Sequence, residues 1–260
     1  MQTVKNPKTT MKKYSRVPLC GIPAAPRADK RLRALASFIP HGSVAADIGT
    51  DHAYLPVYLA ANGISSHVYA MDINMSPLSV AAANIKRFGL EDKITPILSN
   101  GLDALEREGA ANQSPDVIVI AGMGGELICH IIEKSRLSKS GVKLVLQPAT
   151  RAGALREYLY TSGFFVSSEQ VVKSSGRLYY IICAEYRGES VAFSPSPLEK
   201  YIGRYLIENK NRDFDEYIQT QRLRLERILE ALEKSPDNDI VTDYGTKEEL
   251  SSLYTKLFKI

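Results

Sequence analysis

Three aspartates and two glycine-containing turns are the residues of this 260-residue chain with the types and spacing to do chemistry together. Asp47-Ile48-Gly49-Thr50-Asp51-His52 stands where an apolar run, Val44–Ile48, gives way to a helical pattern. Asp72 closes the next apolar run, His67–Asp72. In an open α/β sheet, ligands collect outside the carboxyl ends of strands, near the point where the strand order reverses. Gly49 lets the backbone bend sharply and come close to a ligand. Asp72, at a strand end, can accept hydrogen bonds from both hydroxyls of a ribose.

The kind of nucleoside follows from what the turn lacks. A dinucleotide needs a glycine-rich turn, usually G-x-G-x-x-G, whose backbone N–H groups face the pyrophosphate. Here Gly49 stands alone and Asp51 occupies the place of a phosphate. A carboxylate there repels phosphate and suits a nucleoside that carries an ammonium and a sulfonium, which describes S-adenosylmethionine. Two further strand ends fit the same pocket. Asn100, in Ser99-Asn100-Gly101-Leu102, can hydrogen-bond an adenine amine, and Met123, in Ala121-Gly122-Met123-Gly124-Gly125, offers a flexible apolar wall. Tight packing of a turn is the other reading of Gly122, Gly124 and Gly125.

The elements that must position these residues alternate between strand and helix patterns from Val44 onward, the mark of a mostly parallel sheet. The pattern predicts a helix over Tyr54–Ala61, a second opened by Ser76-Pro77 and stopped by Gly89, and strands over 93–98, 116–121 and 142–146. Gly122 to Gly125 are expected to turn into a helix ending at Lys134, and Arg151–Ser162 forms another. Phe164–Lys173 and Leu178–Tyr186 read as an antiparallel hairpin. The fold class is therefore α/β, a doubly wound Rossmann-like sheet of five parallel strands plus a C-terminal antiparallel hairpin. After the linker-like Ser194-Pro195-Ser196-Pro197, Phe214, Ile218, Gln221, Leu225, Ile228 and Leu232 step by four and three. That spacing predicts a small helical, coiled-coil-like domain over 194–260, or else a helical extension packed on the main domain of 29–190.

Composition bounds the rest. No apolar run reaches the roughly 20 residues needed to span a bilayer, and the N-terminus has no apolar signal core. A soluble cytoplasmic protein is expected. Cys20, Cys129 and Cys183 are too far apart for a metal motif and form no disulfide framework. The formal charge of +4 comes from one end: residues 1–33 carry nine Lys/Arg against one acidic residue, whereas 34–193 carry thirteen against fifteen. Residues 1–28 thus read as a basic, proline-containing disordered tail, with an arm that tracks phosphates as the alternative.

Taken together, ADIGTDHAYLPVYLA at 46–60, NGLDAL at 100–105, IAGMGGELI at 120–128, LVLQP at 144–148 and GRLYYIICAEY at 176–186 resemble the bacterial tRNA (adenine-22-N1)-methyltransferases. The resemblance runs from about Arg31 to the end and includes the C-terminal helices. It implies methyl transfer from S-adenosylmethionine to N1 of adenine 22 in tRNA, with Asp47, Gly49, His52, Asp72, Ile73, Asn100, Gly101, Gly122 and Met123 as cofactor contacts. Asp51 and Gly124, in the loop after Met123, would face the target base. Thr50 stands where serine is common in the family, and Ala149 where asparagine is expected.

The chemistry sets its own demands. N1 of adenine is largely unprotonated at neutral pH, so alignment with the methyl group supplies most of the acceleration. The product ring is cationic, and Asp51 is the candidate to stabilise it; capping of the next helix is its other reading. His52 is either a catalytic orienting group or a structural histidine, and Tyr54 either stacks on a base or fills the core. Arg151, Arg156, Lys173 and Arg177 are candidate phosphate contacts, though basic residues on a solvated face are commonplace. The reading involves tRNA as partner, no metal, no membrane and no stable protein partner. A methyltransferase acting on another RNA, a small molecule or a protein is the alternative, followed by a nucleotide-binding oxidoreductase.

Overall fold

The computed structural model describes residues 28–107, 113–234 and 246–260. Most of the expected N-terminal tail, including Cys20, lies outside them. Nine helices and seven strands among the described residues carry the argument. They begin with α1 (Lys30–Ser37), β1 (Ser43–Ile48), α2 (Tyr54–Ala61), β2 (Ser65–Asp72), α3 (Met75–Arg87) and β3 (Ile94–Leu98). They continue through β4 (Val117–Gly124), α4 (Gly125–Lys134), β5 (Lys143–Thr150), α5 (Ala152–Thr161), β6 (Phe164–Ser174) and β7 (Arg177–Tyr186). The chain closes with α6 (Pro197–Ile202), α7 (Arg204–Glu208), α8 (Phe214–Glu233) and α9 (Lys247–Leu257).

The strands form one sheet in the order β3-β2-β1-β4-β5-β7-β6. The first five are parallel, and β7 runs antiparallel to both β5 and β6. This is the doubly wound sheet with a terminal hairpin that the alternation of patterns predicts. Alternate side chains of each central strand enter opposite cores, as strand geometry requires. Ala45, Val117, Val119 and Val145 join Leu35 and Leu59 on one face, while Ala46, Ile118, Ile120 and Leu146 join Ile128 and Leu155 on the other. Strand order reverses between β1 and β4, so the crevice at their carboxyl ends is where a ligand belongs.

Some boundaries move for physical reasons. The helix expected to open at Ser76-Pro77 starts at Met75 with Asn74 as its N-cap, leaving Pro77 in the first turn. Its missing N–H costs nothing there, because first-turn amides have no partner inside the helix. β4 and β5 keep pairing past the expected ends, through irregularities that set Met123 against Pro148 and Gly124 against Thr150. The glycine run is thus the bulged end of a strand more than a turn. Half of the Ser194–Pro197 break is a helix start, since Ser196 forms a capping box with Glu199 and Pro197 is at the head of α6.

The C-terminal helices pack on one another and on the hairpin edge. Phe214, Ile218 and Leu225 of α8 meet Leu250, Leu253 and Leu257 of α9 in a cluster that also takes in Val171, Leu178 and Tyr180. Gln221, the polar member of the seam, donates to the Tyr180 hydroxyl at 3.3 Å. Deeper in this junction, fully buried Arg156 of α5 holds Glu169 of β6 at 2.7 Å and donates to the Tyr201 carbonyl at 2.9 Å.

Candidate active site

The end of β1 folds back on β2. The amides of Gly49 and Thr50 both donate to the Met71 carbonyl at 2.8 Å, which draws the turn against the neighbouring strand. Gly49 has φ +72°, and a Cβ there would lie 2.2 Å from Met123 Cε. A side chain at this position would displace the Met123 methyl group, and the positive φ itself favours glycine. Asp47 is buried beneath it and accepts from the Thr50 hydroxyl at 2.8 Å. Burial raises its pKa from 3.8 to about 6, against the opposing pull of the Thr50 hydrogen bond and the Arg31 charge.

Asp72 is fixed by backbone. Its Oδ1 accepts from the Asn74 amide at 2.9 Å and its Oδ2 faces the Asp51 amide at 3.4 Å. Each oxygen retains acceptor capacity for a hydroxyl. Ser99 continues the rim by donating its amide to the Asp72 carbonyl at 2.9 Å, and its hydroxyl ties the next turn through the Gly101 carbonyl at 3.0 Å.

A cavity of about 330 Å³ opens among these strand ends. Gly49, Asp72, Ile73, Asn100, Gly101, Gly122 and Met123 line it, so seven of the cofactor candidates meet in one hollow. Asp47 and His52 do not line it, and Asp47 is buried under the turn that Gly49 and Thr50 form. Gly124 faces Thr150, whose hydroxyl would be 3.4 Å from a Cβ there. Gly125 answers to packing, because a Cβ would lie 2.3 Å from the Arg151 carbonyl oxygen. A larger hollow of about 500 Å³ near the start of β6, lined by Phe165, Phe193 and Arg204 among others, gathers none of these residues.

Asp51, His52 and Tyr54 follow the Gly49 turn in the chain and lie outside the cavity lining. Asp51 and Ala53 both take positive φ, 51° and 57°, which is unusual for non-glycine residues. Ala53 is the N-cap of α2 and no side chain caps that helix, so the helix-capping reading of Asp51 falls away. The Asp51 carboxylate is exposed, 3.6 Å from His52 Nε2. His52 Nδ1 is buried without a hydrogen-bond partner, and its carbonyl is tied to α3 by Asn84 at 2.9 Å. Tyr54 is 52% exposed and meets the His52 ring edge-on at 5.7 Å, so it does not belong to the core.

The four candidate phosphate contacts fare unevenly. Arg156 is a correction: with no exposed surface and its charge met by Glu169, it cannot reach a phosphate. Arg151 is exposed but bonded to Glu126 at 2.5 Å, and Lys173 to Glu216 at 2.6 Å. Arg177, at the β6–β7 turn, is exposed. Sequence reasoning missed Arg31, which reaches Gln147 Oε1 at 3.0 Å across 116 residues, and it missed Leu127, His130 and Ile131, which wall the cavity from α4. Helical spacing from Gly124 could have exposed the α4 set. Nothing local marks Arg31.

The two cysteines of the described region are thiols that burial pushes up to about 12. No group of three or more metal-ligating side chains occurs among the described residues, and no helix among them is long and apolar enough to cross a membrane.

A cavity at the switch point of this sheet, with Asp72 in its wall and a buried aspartate, Asp47, under the adjoining Gly49 turn, defines a class. Residues 28–182 match the family model described as a methyltransferase domain, and the chain is a member of that class. A curated relative from Bacillus subtilis (strain 168), tRNA (adenine(22)-N(1))-methyltransferase, is 32% identical over 82% of this chain and 89% of its own length. The solved structure of the B. subtilis tRNA methyltransferase TrmK superposes with a TM-score of 0.73 at 30% identity, covering 89% of this chain and 96% of that one. A Streptococcus pneumoniae chain solved in complex with S-adenosyl-L-methionine gives 0.72 at 30% identity, covering 88% and 97%. The chain belongs to the tRNA (adenine(22)-N(1))-methyltransferase family.

Proposed function

We propose that this protein transfers a methyl group from S-adenosylmethionine to N1 of adenine 22 in tRNA, and that it does so in the cytoplasm. The observation that carries the reading is the cavity in which Gly49, Asp72, Asn100 and Met123 converge above buried Asp47. The residues present fit the cofactor. Burial raises the Asp47 carboxyl to about 6, the Thr50 hydroxyl and the Arg31 charge offset that only in part, and a cationic ligand would offset it further. When bound, S-adenosylmethionine supplies an electrophilic methyl group on a positively charged sulfur.

The chain's own residues have two tasks. Asp72, held by two backbone amides, accepts from the ribose hydroxyls; Asn100, Gly101 and Ile73 flank the adenine, and Met123 and Gly122 close the wall. Asp47 answers the ammonium from below. On the rim, Tyr54 stacks against the target base, which must leave its neighbours at a cost of a few kcal/mol. His52 orients that base. Asp51, exposed beside His52, steadies the positive ring that forms on methylation. Gly124, Arg177 and, once their acidic partners are displaced, Arg151 and Lys173 follow the tRNA backbone. The C-terminal helices of 194–260 extend this surface beside the hairpin.

Unmodified tRNA incubated with the enzyme and labelled cofactor tests the reading. Nucleoside analysis is expected to yield 1-methyladenosine, and replacing adenine 22 by guanine is expected to abolish it. Absence of the product, or its persistence after the replacement, contradicts the assignment.

A further inference from the structure

The basic excess of this chain is confined to one end. Residues 1–27 hold six Lys/Arg and no Asp or Glu, so residues 28–260, which contain every site described above, carry 27 basic residues against 29 acidic ones. A body of net negative charge is a poor electrostatic partner for a nucleic acid, whose affinity for proteins comes largely from cations set against phosphates. Two of the exposed cations proposed to follow the tRNA are moreover bonded to acidic neighbours, Arg151 to Glu126 and Lys173 to Glu216.

Residues 1–27 lie outside the described structure, but the place where they join it is defined. α1 ends at Ser37 and β1 starts at Ser43, with the Ser43 amide donating to the Pro40 carbonyl in the turn between them. The start of α1 therefore faces the opposite edge of the sheet, where the parallel strands end. Arg31 in its first turn meets that edge: it donates to Gln147 at 3.0 Å, and its Nη1 would lie 3.8 Å from a Cβ on Gly122, a residue of the cavity lining. Lys30 and Arg33 of the same turn are exposed. The basic segment thus enters the fold beside the cavity and continues onto it through these two side chains. Only Tyr14 in residues 1–27 is aromatic, so the segment has cations to set against phosphates and little with which to stack on bases. We infer that residues 1–27, with Lys30 and Arg33, are a basic arm that holds the tRNA phosphate backbone beside the cavity. This inference rests on the tRNA reading above.

The test is binding of unmodified tRNA to the full chain across a salt series. One variant carries Lys5→Gln, Lys8→Gln, Lys12→Gln, Lys13→Gln and Arg16→Gln; a control carries Lys5→Arg, Lys8→Arg, Lys12→Arg and Lys13→Arg, which keep the charge. The neutral variant should bind tRNA at least about tenfold more weakly at low salt, and its plot of log Kd against log salt should be shallower by about 2–4, since each lost phosphate contact removes somewhat less than one unit of slope. The control should stay within about twofold of the native chain. Affinity for S-adenosylhomocysteine should stay within about twofold in both, because the cofactor cavity is untouched. Lys30→Gln with Arg33→Gln should weaken tRNA binding by a smaller factor, about two- to fivefold. Unchanged tRNA affinity and slope in the neutral variant overturn the inference. So does equal weakening by the control, which would make the residues and not their charge responsible, and so does a parallel loss of S-adenosylhomocysteine affinity, which would make the segment part of the fold. Tighter binding of the native chain to phosphatidylglycerol vesicles than to tRNA, lost in the neutral variant, would assign the arm to a membrane surface instead. If the native chain binds no tRNA, the tRNA reading itself fails, and the arm with it.

Discussion

Asp47 and Glu169 are both buried carboxylates on strands of one sheet, and burial raises the pKa of each, but they differ in what meets their charge. Glu169 has a guanidinium at 2.7 Å, and the same arginine reaches on to the Tyr201 carbonyl, so strand, helix and C-terminal segment are tied at one point. Gly203 lets the chain pass this close, since a Cβ there would lie 2.3 Å from Glu169 Oε2. Burial works against the charge on Arg156, and the Glu169 carboxylate outweighs it, holding the arginine above its usual range. Asp47 has one hydroxyl at 2.8 Å and an arginine that acts on it while bonded to Gln147. A buried charge matched within the chain is a structural joint; a buried charge left short of a partner beside a cavity is a place for a ligand.

Removing one half of the matched pair should have the largest effect. Glu169→Gln leaves Arg156 buried and uncompensated, and is expected to cost about 3–5 kcal/mol in urea unfolding. A loss below about 1 kcal/mol would mean that the two carboxylates do not differ in the way described.

The unmatched site predicts the reverse sign. Because the folded pKa of Asp47, about 6, lies above its ordinary 3.8, the folded protein binds its proton more tightly than the unfolded chain. Its contribution to stability is therefore fully present below about pH 4 and is lost as pH rises through about 6, by up to about 3 kcal/mol. Asp47→Asn should flatten that difference in ligand-free protein, raise stability near pH 7 relative to the native chain, and weaken cofactor binding. Unfolding curves at pH 4 and pH 7 for both proteins check it, and parallel pH dependences would remove Asp47 from the account.

Smaller effects sharpen the picture at the rim. Gly49→Ala combines a positive φ, costing roughly 1–2 kcal/mol, with displacement of Met123, and should lower S-adenosylhomocysteine affinity at least about tenfold in a binding titration. Unchanged affinity would show that Met123 can leave the turn freely. Asp51→Ala should preserve cofactor affinity and slow methyl transfer by about tenfold, equivalent to roughly 1.4 kcal/mol. Unchanged turnover would leave Asp51 without a catalytic part.

How much of this was legible in the sequence follows from the range of each signal. The sheet and its strand ends are written locally, in apolar runs that end near Asp47, Asp72 and Asn100, and the fold brings Asp72 and Asn100 into one cavity while Asp47 is buried under the Gly49 turn. Arg151 and Arg156 are five residues apart on the same segment and look alike in sequence, yet one is exposed and the other wholly buried. Their difference is made by Glu169, which no local pattern pairs with Arg156. Arg31 was illegible for the same reason, since its partners Gln147 and Tyr179 belong to distant strands. The left-handed turn at Ala53 also carried no glycine to announce it.

The most direct measurement is proton release when the cationic end of a ligand reaches Asp47. Titration of the native chain with S-adenosylhomocysteine near pH 6, in two buffers of different ionisation heat, should report release of about half a proton, and Asp47→Asn should report almost none. Binding by the native chain with no proton exchanged at that pH would contradict the claim that this carboxylate waits for a positive charge.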